Sequence, residues 1–419
     1  MLKLFKNKNF ALLFTGSFVS QIGTTFYNFA VGWFILSLTA SPLKAGLYIA
    51  LGAIIQVLVA PIAGVFVDRL NKVRIVYITD YIRGFTVLLG GFTLFMLNQN
   101  THLLFLLYMI TVILAINNAF FGPAVTALRP EVVEDEALNT ANSVFSFIQS
   151  IQMILGVLLA GIFYATLGIE LIFIINGVSF LISGFTEMFI RLSNPLGKPI
   201  DHVPSLSREL KEGMQYIRAK TGLFHIMIAA LIINFAFAPI FANAMPYLFN
   251  LVLEKEAIHL SAVNIAFSIG MLVGGILMAT IGSKLIVVRS IRQGFTGMLI
   301  GIYTAMILMY FAAQGILSYN AFLTLFIPVM FLTAIANIWL NIPFMTAMLR
   351  IIDSSVRGRV MALLDTFAAA LVPLAYVLGG TVLEFGSMSS LFIGCMVFML
   401  IAYCMIMFGK KPLALLRSV

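Results

Sequence analysis

The chain has 419 residues, 61% of them hydrophobic and only 10% charged, with a formal net charge of +9. Soluble domains carry about 25% charged residues, and a mean hydropathy of +1.07 leaves too little polar surface to cover one soluble core. The composition therefore excludes an ordinary soluble protein and points to an all-α chain that crosses a membrane many times. Its two cysteines, Cys395 and Cys404, lie in the last apolar run, and its four histidines are scattered. Neither a disulfide framework nor a metal-ligand spacing is implied.

The opening MLKLFKNKNF is basic, but the apolar run behind it is longer than a signal h-region and lacks a small-residue cleavage site. It reads as the entry to a first span. Turns and charges then divide the chain into twelve apolar segments, at 10–37, 45–67, 74–97, 102–125, 139–168, 170–191, 222–250, 258–283, 290–314, 319–347, 357–384 and 387–409. Each reaches the ~20 residues a helix needs to cross a bilayer. In lipid every backbone amide must bond within its own segment, which requires helix. The alternating ~10-residue segments of a membrane barrel are absent.

With twelve spans the loops alternate sides. One set holds Lys3, Lys6 and Lys8, then Arg69, Lys72 and Arg74, then Arg129 and the long 192–221 loop. It continues with Lys284, Arg289, Arg292, Arg350, Arg357 and Arg359, and ends with Lys410, Lys411 and Arg417. The other set holds only Lys44 and Lys255. The positive-inside rule makes the first side cytoplasmic, with both termini inside. Basic residues spread over every inner loop do not form a nucleic-acid surface.

The loop NPLGKPIDHVPSLSRELKEGMQYIRAKTG is the one long polar stretch. It predicts a Pro/Gly-rich linker and then an amphipathic helix with Leu206, Leu210, Met214 and Ile217 on one face. It reads as a tether lying against the membrane or the helices, or as a regulatory site. It separates a six-span half at 1–191 from another at 222–419. PAVTALR at 123–129 recurs as PFMTAMLR at 343–350, at the same place in each half. Two pseudo-symmetric six-helix bundles around a central path are a transporter architecture.

Between the second and third spans the chain reads Gly64-Val-Phe-Val-Asp68-Arg69-Leu-Asn71-Lys72-Val-Arg74. Gly64 allows a close helix approach. Asp68 can accept hydrogen bonds from free amides at another helix's N-terminus, where the dipole favours an anion. Asn71 is the natural non-glycine residue for a left-handed turn. This stretch resembles the signature G-x-x-x-D-[RK]-x-G-[RK]-[RK] of the major facilitator superfamily. TDYIRG at 79–84, FFGPAVTALRPEVV at 120–133, LNTAN at 138–142, SRELKEGMQYIR at 207–218 and VRGRVMALL at 356–364 are similar to its macrolide-efflux and enterobactin-exporter-like branch, of the drug:proton antiporter type. The resemblance implies that Asp68 meets the start of span eleven, near Arg357 and Arg359 with Arg129 close by, as a latch between conformations. Alternatively Arg69, Lys72 and Arg74 only set the topology. Where the branch carries an acidic residue after a glycine in span one, this chain has Thr24 after Gly23.

The ionisable residues within spans are Asp80, Arg83, Glu187 and Asp365, each functional by default because buried charge is costly. Asp80 and Arg83, three apart on one helix face, can pair, either structurally or in gating and proton coupling. Asp365 has no partner in sequence and is a candidate proton carrier, or else faces water. Glu187 is expected to snorkel to the interface. Gln21, Asn28, Asn234 and Asn243 lie on spans one and seven, which line the path in the superfamily. Asn337, Asn341, Tyr27, Trp33 and Trp339 would add polar contacts and an aromatic wall. Such a path suits a bulky, mostly apolar ligand, although each residue also has a packing role open to it.

The sequence thus predicts a monomeric, multi-pass transporter of the cell membrane that needs no cofactor and contacts lipid. The resemblance implies that it exports amphipathic drug-, macrolide- or siderophore-like molecules by alternating access in exchange for protons. A lipid or lysolipid flippase of the same fold is the alternative. A membrane-embedded enzyme is the less favoured reading, because the sequence offers no His/Asp/Glu cluster facing one membrane surface, such as a metal or phosphoryl-transfer site requires.

Overall fold

The computed structural model describes residues 4–97, 102–192, 206–282 and 285–417. The helices are α1 (Lys8–Thr39), α2 (Pro42–Arg69), α3 (Lys72–Leu97), α4 (His102–Val132), α5 (Leu138–Glu187), α6 (Leu206–Ala219), α7 (Thr221–Pro239), α8 (Met245–Tyr247) and α9 (Ala257–Ile281). They continue as α10 (Val287–Ala313), α11 (Tyr319–Ile351), α12 (Arg357–Ala369), α13 (Val372–Phe385), α14 (Met388–Met407) and α15 (Lys410–Arg417). There is no strand among the described residues. The chain divides into two compact units: Met1–Ala40, Leu47–Ile200 and Glu256–Ser261 form one, and Ser41–Gly46, Asp201–Lys255 and Ala262–Val419 the other.

Among the described residues eleven helices are long and apolar enough to cross a membrane, against the twelve expected. The difference lies in α5, whose 50 residues contain both the expected fifth and sixth spans. A straight helix of that length would run to about 75 Å, far beyond a hydrocarbon core of ~30 Å. Gly168, at φ 78° and ψ 173°, breaks the helical backbone. Adjacent residues of α1 then touch both sides of the break: Phe26 packs on Phe163 and Tyr27 on Phe173. α5 is therefore a hairpin folded at Gly168.

In the first unit α3 turns Phe85, Leu89, Phe92 and Phe95 outward as an exposed apolar stripe, as a lipid-facing helix requires. The loop end of this unit is tied by polar contacts. Asn7 caps α1 and donates to Val132 O at 2.8 Å, while Asn9 exchanges hydrogen bonds with the Arg191 backbone. Asn71 does not adopt the left-handed conformation expected of it. Its side chain instead accepts from the Arg74 amide at 3.1 Å and caps the start of α3, which favours ordinary extended geometry.

In the second unit two expected spans are interrupted. Helix α7 passes into π-helical turns at Ile240–Ala244 and Leu248–Val252, around Pro239 and Pro246, which remove two backbone donors. The expected span 357–384 is two helices, α12 and α13, parted at Ala370–Leu371 just ahead of Pro373. Glu384 on α13 accepts hydrogen bonds from the Ser41 hydroxyl and, at 3.0 Å, from the Leu43 amide. That carboxylate caps the first turn of α2.

Candidate functional site

Two places gather the residues the sequence singles out. The first is a charged group inside the first unit. Asp80 and Arg83 on α3 and Glu187 at the end of α5 are 0%, 2% and 0% exposed. Arg83 pairs with Asp80, donates to Asn118 Oδ1 at 3.0 Å and lies between the rings of Phe121 and Phe180, 3.9 and 4.7 Å from their centroids. The guanidinium also donates through Nε to Thr79 O at 3.4 Å, and is thus held by one charge, one side-chain amide, one backbone carbonyl and two π faces.

Glu187 does not snorkel. Helix α1 lies directly over it: a Cβ added to Gly16 would sit 2.8 Å from both its Cγ and its Oε1, so the side chain has no way out. Its carboxyl faces that of Asp80, with the Ser183 hydroxyl beside both. Asp80 Oδ2, both oxygens of Glu187 and Ser183 Oγ are buried without a hydrogen-bond donor or acceptor. Buried polar atoms are rarely left so. The i, i+3 spacing of Asp80 and Arg83 was legible, whereas Glu187 joins them from a distant segment with no local signal.

The second place is a cleft in the second unit. A cavity of about 170 Å³ is lined by Asn234, Asn337 and Asn341 with Phe237, Phe295 and Phe344. It shares Asn234, Asn341 and Phe344 with an adjoining cavity of about 500 Å³, which adds Asp365 and four methionines, Met227, Met345, Met348 and Met361. Asn341 donates to Asn337 Oδ1 at 3.1 Å, and Asn234 donates to Ala230 O at 2.9 Å. Asp365 is exposed at the wall and makes no hydrogen bond or ion pair among the described residues. A mostly apolar pocket with a few fixed polar groups can take a drug-sized amphipathic molecule, and methionines adapt to varied shapes.

The other expected path residues do not join this cleft. Tyr27 and Trp33 are buried in the first unit, on Phe173 and Phe29, whereas Asn28 is exposed and Gln21 half-buried. Asn243 is buried in the π turn and donates to Tyr376 O at 3.1 Å. Trp339 is half-buried on α11, outside both cavities.

The expected latch residues are distributed. Beyond the backbone of its own helix, no atom of the described residues lies within 4 Å of a Cβ added to Gly64, so the expected close approach is not made there. Asp68, Arg69 and Arg74 are exposed. Lys72 pairs with Glu131 at 2.6 Å, and Arg129 lies over the Phe145 ring at 4.3 Å. Arg357 donates to Ile352 O at 3.3 Å, and Arg359 pairs with Glu212 of α6 at 2.9 Å. The linker helix therefore docks on the α11–α12 connection. There Tyr216 accepts from the Asp353 amide at 3.1 Å and from Lys220 Nζ at 2.6 Å. The Tyr216 hydroxyl beside Lys220 raises its ammonium above the usual lysine range. The side chains of Leu206 and Leu210, expected on the apolar face of α6, lie outside the described residues.

The family model described as Major Facilitator Superfamily matches residues 13–367. Macrolide efflux protein A of Streptococcus pyogenes is 26% identical over 277 residues, 65% of this chain and 67% of that protein. The uncharacterised MFS-type transporter YkuC of Bacillus subtilis (strain 168) is 30% identical over 326 residues, 74% of each. A bacterial homologue of the iron transporter ferroportin, solved in an inward-facing state, superposes with a TM-score of 0.76 at 16% identity, covering 98% of this chain and 99% of that one.

Proposed function

The chain belongs to the Major Facilitator Superfamily, a multi-pass membrane transporter, and from that premise we propose that it exports amphipathic small molecules in exchange for protons. The observation that carries this reading is the asparagine-lined cleft of the second unit, with its phenylalanine and methionine walls and Asp365 at the rim. Apolar walls extract the ligand's greasy face, and Asn234, Asn337 and Asn341 offer amides to its polar groups. A sugar or a multiply charged anion would find too few partners there. The 26% identity to a protein named for macrolide efflux supports the direction of transport and the substrate class. On this reading the protein sits in the cell membrane with both termini cytoplasmic and works by alternating access. The charged 64–74 loop is its latch, engaged by Asp68 in one state of the cycle.

Cells making the protein should accumulate less of an amphipathic dye or a macrolide than cells without it, and a protonophore should abolish the difference. Asn234→Ala with Asn341→Ala should raise accumulation several-fold, as expected when about 1–2 kcal/mol of polar contact is lost. Unchanged dye levels together with altered lipid sidedness would favour a flippase and overturn the efflux reading.

A further inference from the structure

The Asp80–Arg83–Glu187 group is not accounted for by the cleft. Its formal charges are two negative and one positive, all enclosed by protein. Arg83 balances one carboxylate, through its ion pair with Asp80. A second ionised carboxylate at the same place would be an uncompensated buried charge, which is strongly destabilising even after relaxation. Like charges a few ångströms apart resolve this conflict by keeping one proton between them. The unsatisfied atoms are those such a proton would serve: two carboxyl groups face each other, and the one neutral donor beside them, the Ser183 hydroxyl, has a single hydrogen to give and carries no charge to balance the second carboxylate.

Among the described residues, the surroundings supply no second positive charge. Helix α1 brings Gly16 against Glu187, and α4 brings Asn118 and Phe121 to Arg83. Helix α5 adds Ser183 and Phe180, and α3 adds the Tyr77 and Tyr81 region beside Gly184. None contributes a second cation.

We propose that Asp80 and Glu187 share a single proton beside Arg83, and that this buried pair, rather than Asp365, takes up and releases the coupling proton. The coupling half rests on the exporter reading above. The step is a proton transfer alone: an O–H bond of the carboxyl breaks, the proton passes to water and a carboxylate remains. Glu187 is the last residue of α5, next to exposed Met188 and Phe189, so a small separation of α1 from α5 at Gly16 opens it to water. The deprotonated pair favours that opened, hydrated arrangement, and the protonated pair the closed one. Protonation thus biases the α1–α5 seam.

Infrared spectroscopy of the purified protein tests the proton without any transport. The wild type at neutral pH should show the C=O stretch of a protonated carboxyl, shifting on transfer to D2O. The band should vanish in Glu187→Gln and in Asp80→Asn, where one carboxylate is left to pair with Arg83, and should remain in Asp365→Asn. In proteoliposomes, Glu187→Gln should transport at equal initial rates with and without a pH gradient, where the wild type is accelerated by it. No band in the wild type, a band that survives Glu187→Gln, or one lost in Asp365→Asn overturns the shared proton. A band unmoved in D2O, or gradient-driven transport that persists in Glu187→Gln, overturns the coupling role. Failure of the wild type to move any amphipath overturns the exporter reading and the coupling role with it, while the infrared band still decides whether the pair holds a proton.

Discussion

Arg83 is the cation on which a buried pair of carboxyls depends, and its environment makes lysine a poor substitute. A point charge on a flexible stem cannot reach Asp80 and Asn118 together while stacking between Phe121 and Phe180. Arg83→Met should therefore cost about 3–5 kcal/mol, read as a lowered midpoint of thermal unfolding in detergent, and Arg83→Lys should restore only part of it. A wild-type midpoint for Arg83→Met would show that the pair contributes nothing to the fold. Two glycines that look alike in sequence make a second contrast. Gly16→Val drives a Cβ into Glu187 and should cost about 1–3 kcal/mol by overpacking. Gly64→Val meets open space and should stay within ~1 kcal/mol of the wild type, the range of β-branching on a helix surface. Sequence could see Asp80 with Arg83 because three residues make one helical turn. It could not see that Gly16 seals Glu187, since that depends on which helix lies over the end of α5.

Hydropathy gave the helices their approximate limits, because length and apolarity are what a bilayer demands. The interruptions were not readable in the same way, as the prolines show. Pro123 and Pro343 sit inside unbroken α4 and α11, whereas Pro373 follows a break and Pro239 and Pro246 accompany π turns. The residue is the same, and the outcome depends on whether neighbours can satisfy the freed carbonyl. Gly168 was legible only as a loop. Its φ of 78° with ψ of 173° is open essentially to glycine alone, so Gly168→Ala should cost about 1–3 kcal/mol, checked by the same unfolding midpoint. Docking of α6 has its own pH signature. Lys220 is raised above its usual value by the Tyr216 hydroxyl, so its contribution is complete below the unfolded lysine pKa and is lost as pH rises through the folded one. A dye on Gln215→Cys, an exposed position of α6, should keep constant anisotropy through neutral pH and loosen only in the alkaline range, earlier in Tyr216→Phe. The Arg359–Glu212 pair is half-exposed and should couple by no more than ~1 kcal/mol in a double-mutant cycle.

Orientation belongs to the chain as a whole, because no single loop sets it. The basic residues of the 64–74 loop illustrate this division of labour. Lys72 is committed to Glu131, while Arg69 and Arg74 remain exposed and free to act on topology. Fold class was legible because it follows from apolar length; the cleft asparagines on α7 and α11 stood out only as polar residues within apolar spans, and it was the superfamily resemblance that assigned Asn234 to a path. The side from which the ligand departs was not legible, since the same helices would serve import. Insertion fixes orientation by holding Lys- and Arg-rich short loops on the cytoplasmic side, and here only Lys44 and Lys255 oppose the rest. Green fluorescent protein, which matures only in the cytoplasm, should therefore fluoresce when fused after Val419 or inserted at 193–205. Inserted at 98–101 or at the Gly315 turn, it should be dark. Replacing Arg69, Arg74, Arg289 and Arg292 with Gln removes part of the bias and should yield a mixed population, seen as partial fluorescence at 98–101. Bright fluorescence at 98–101 in the wild type would invert the chain, and would place the cleft rim at Asp365 on the outer face, where it would admit ligand rather than expel it.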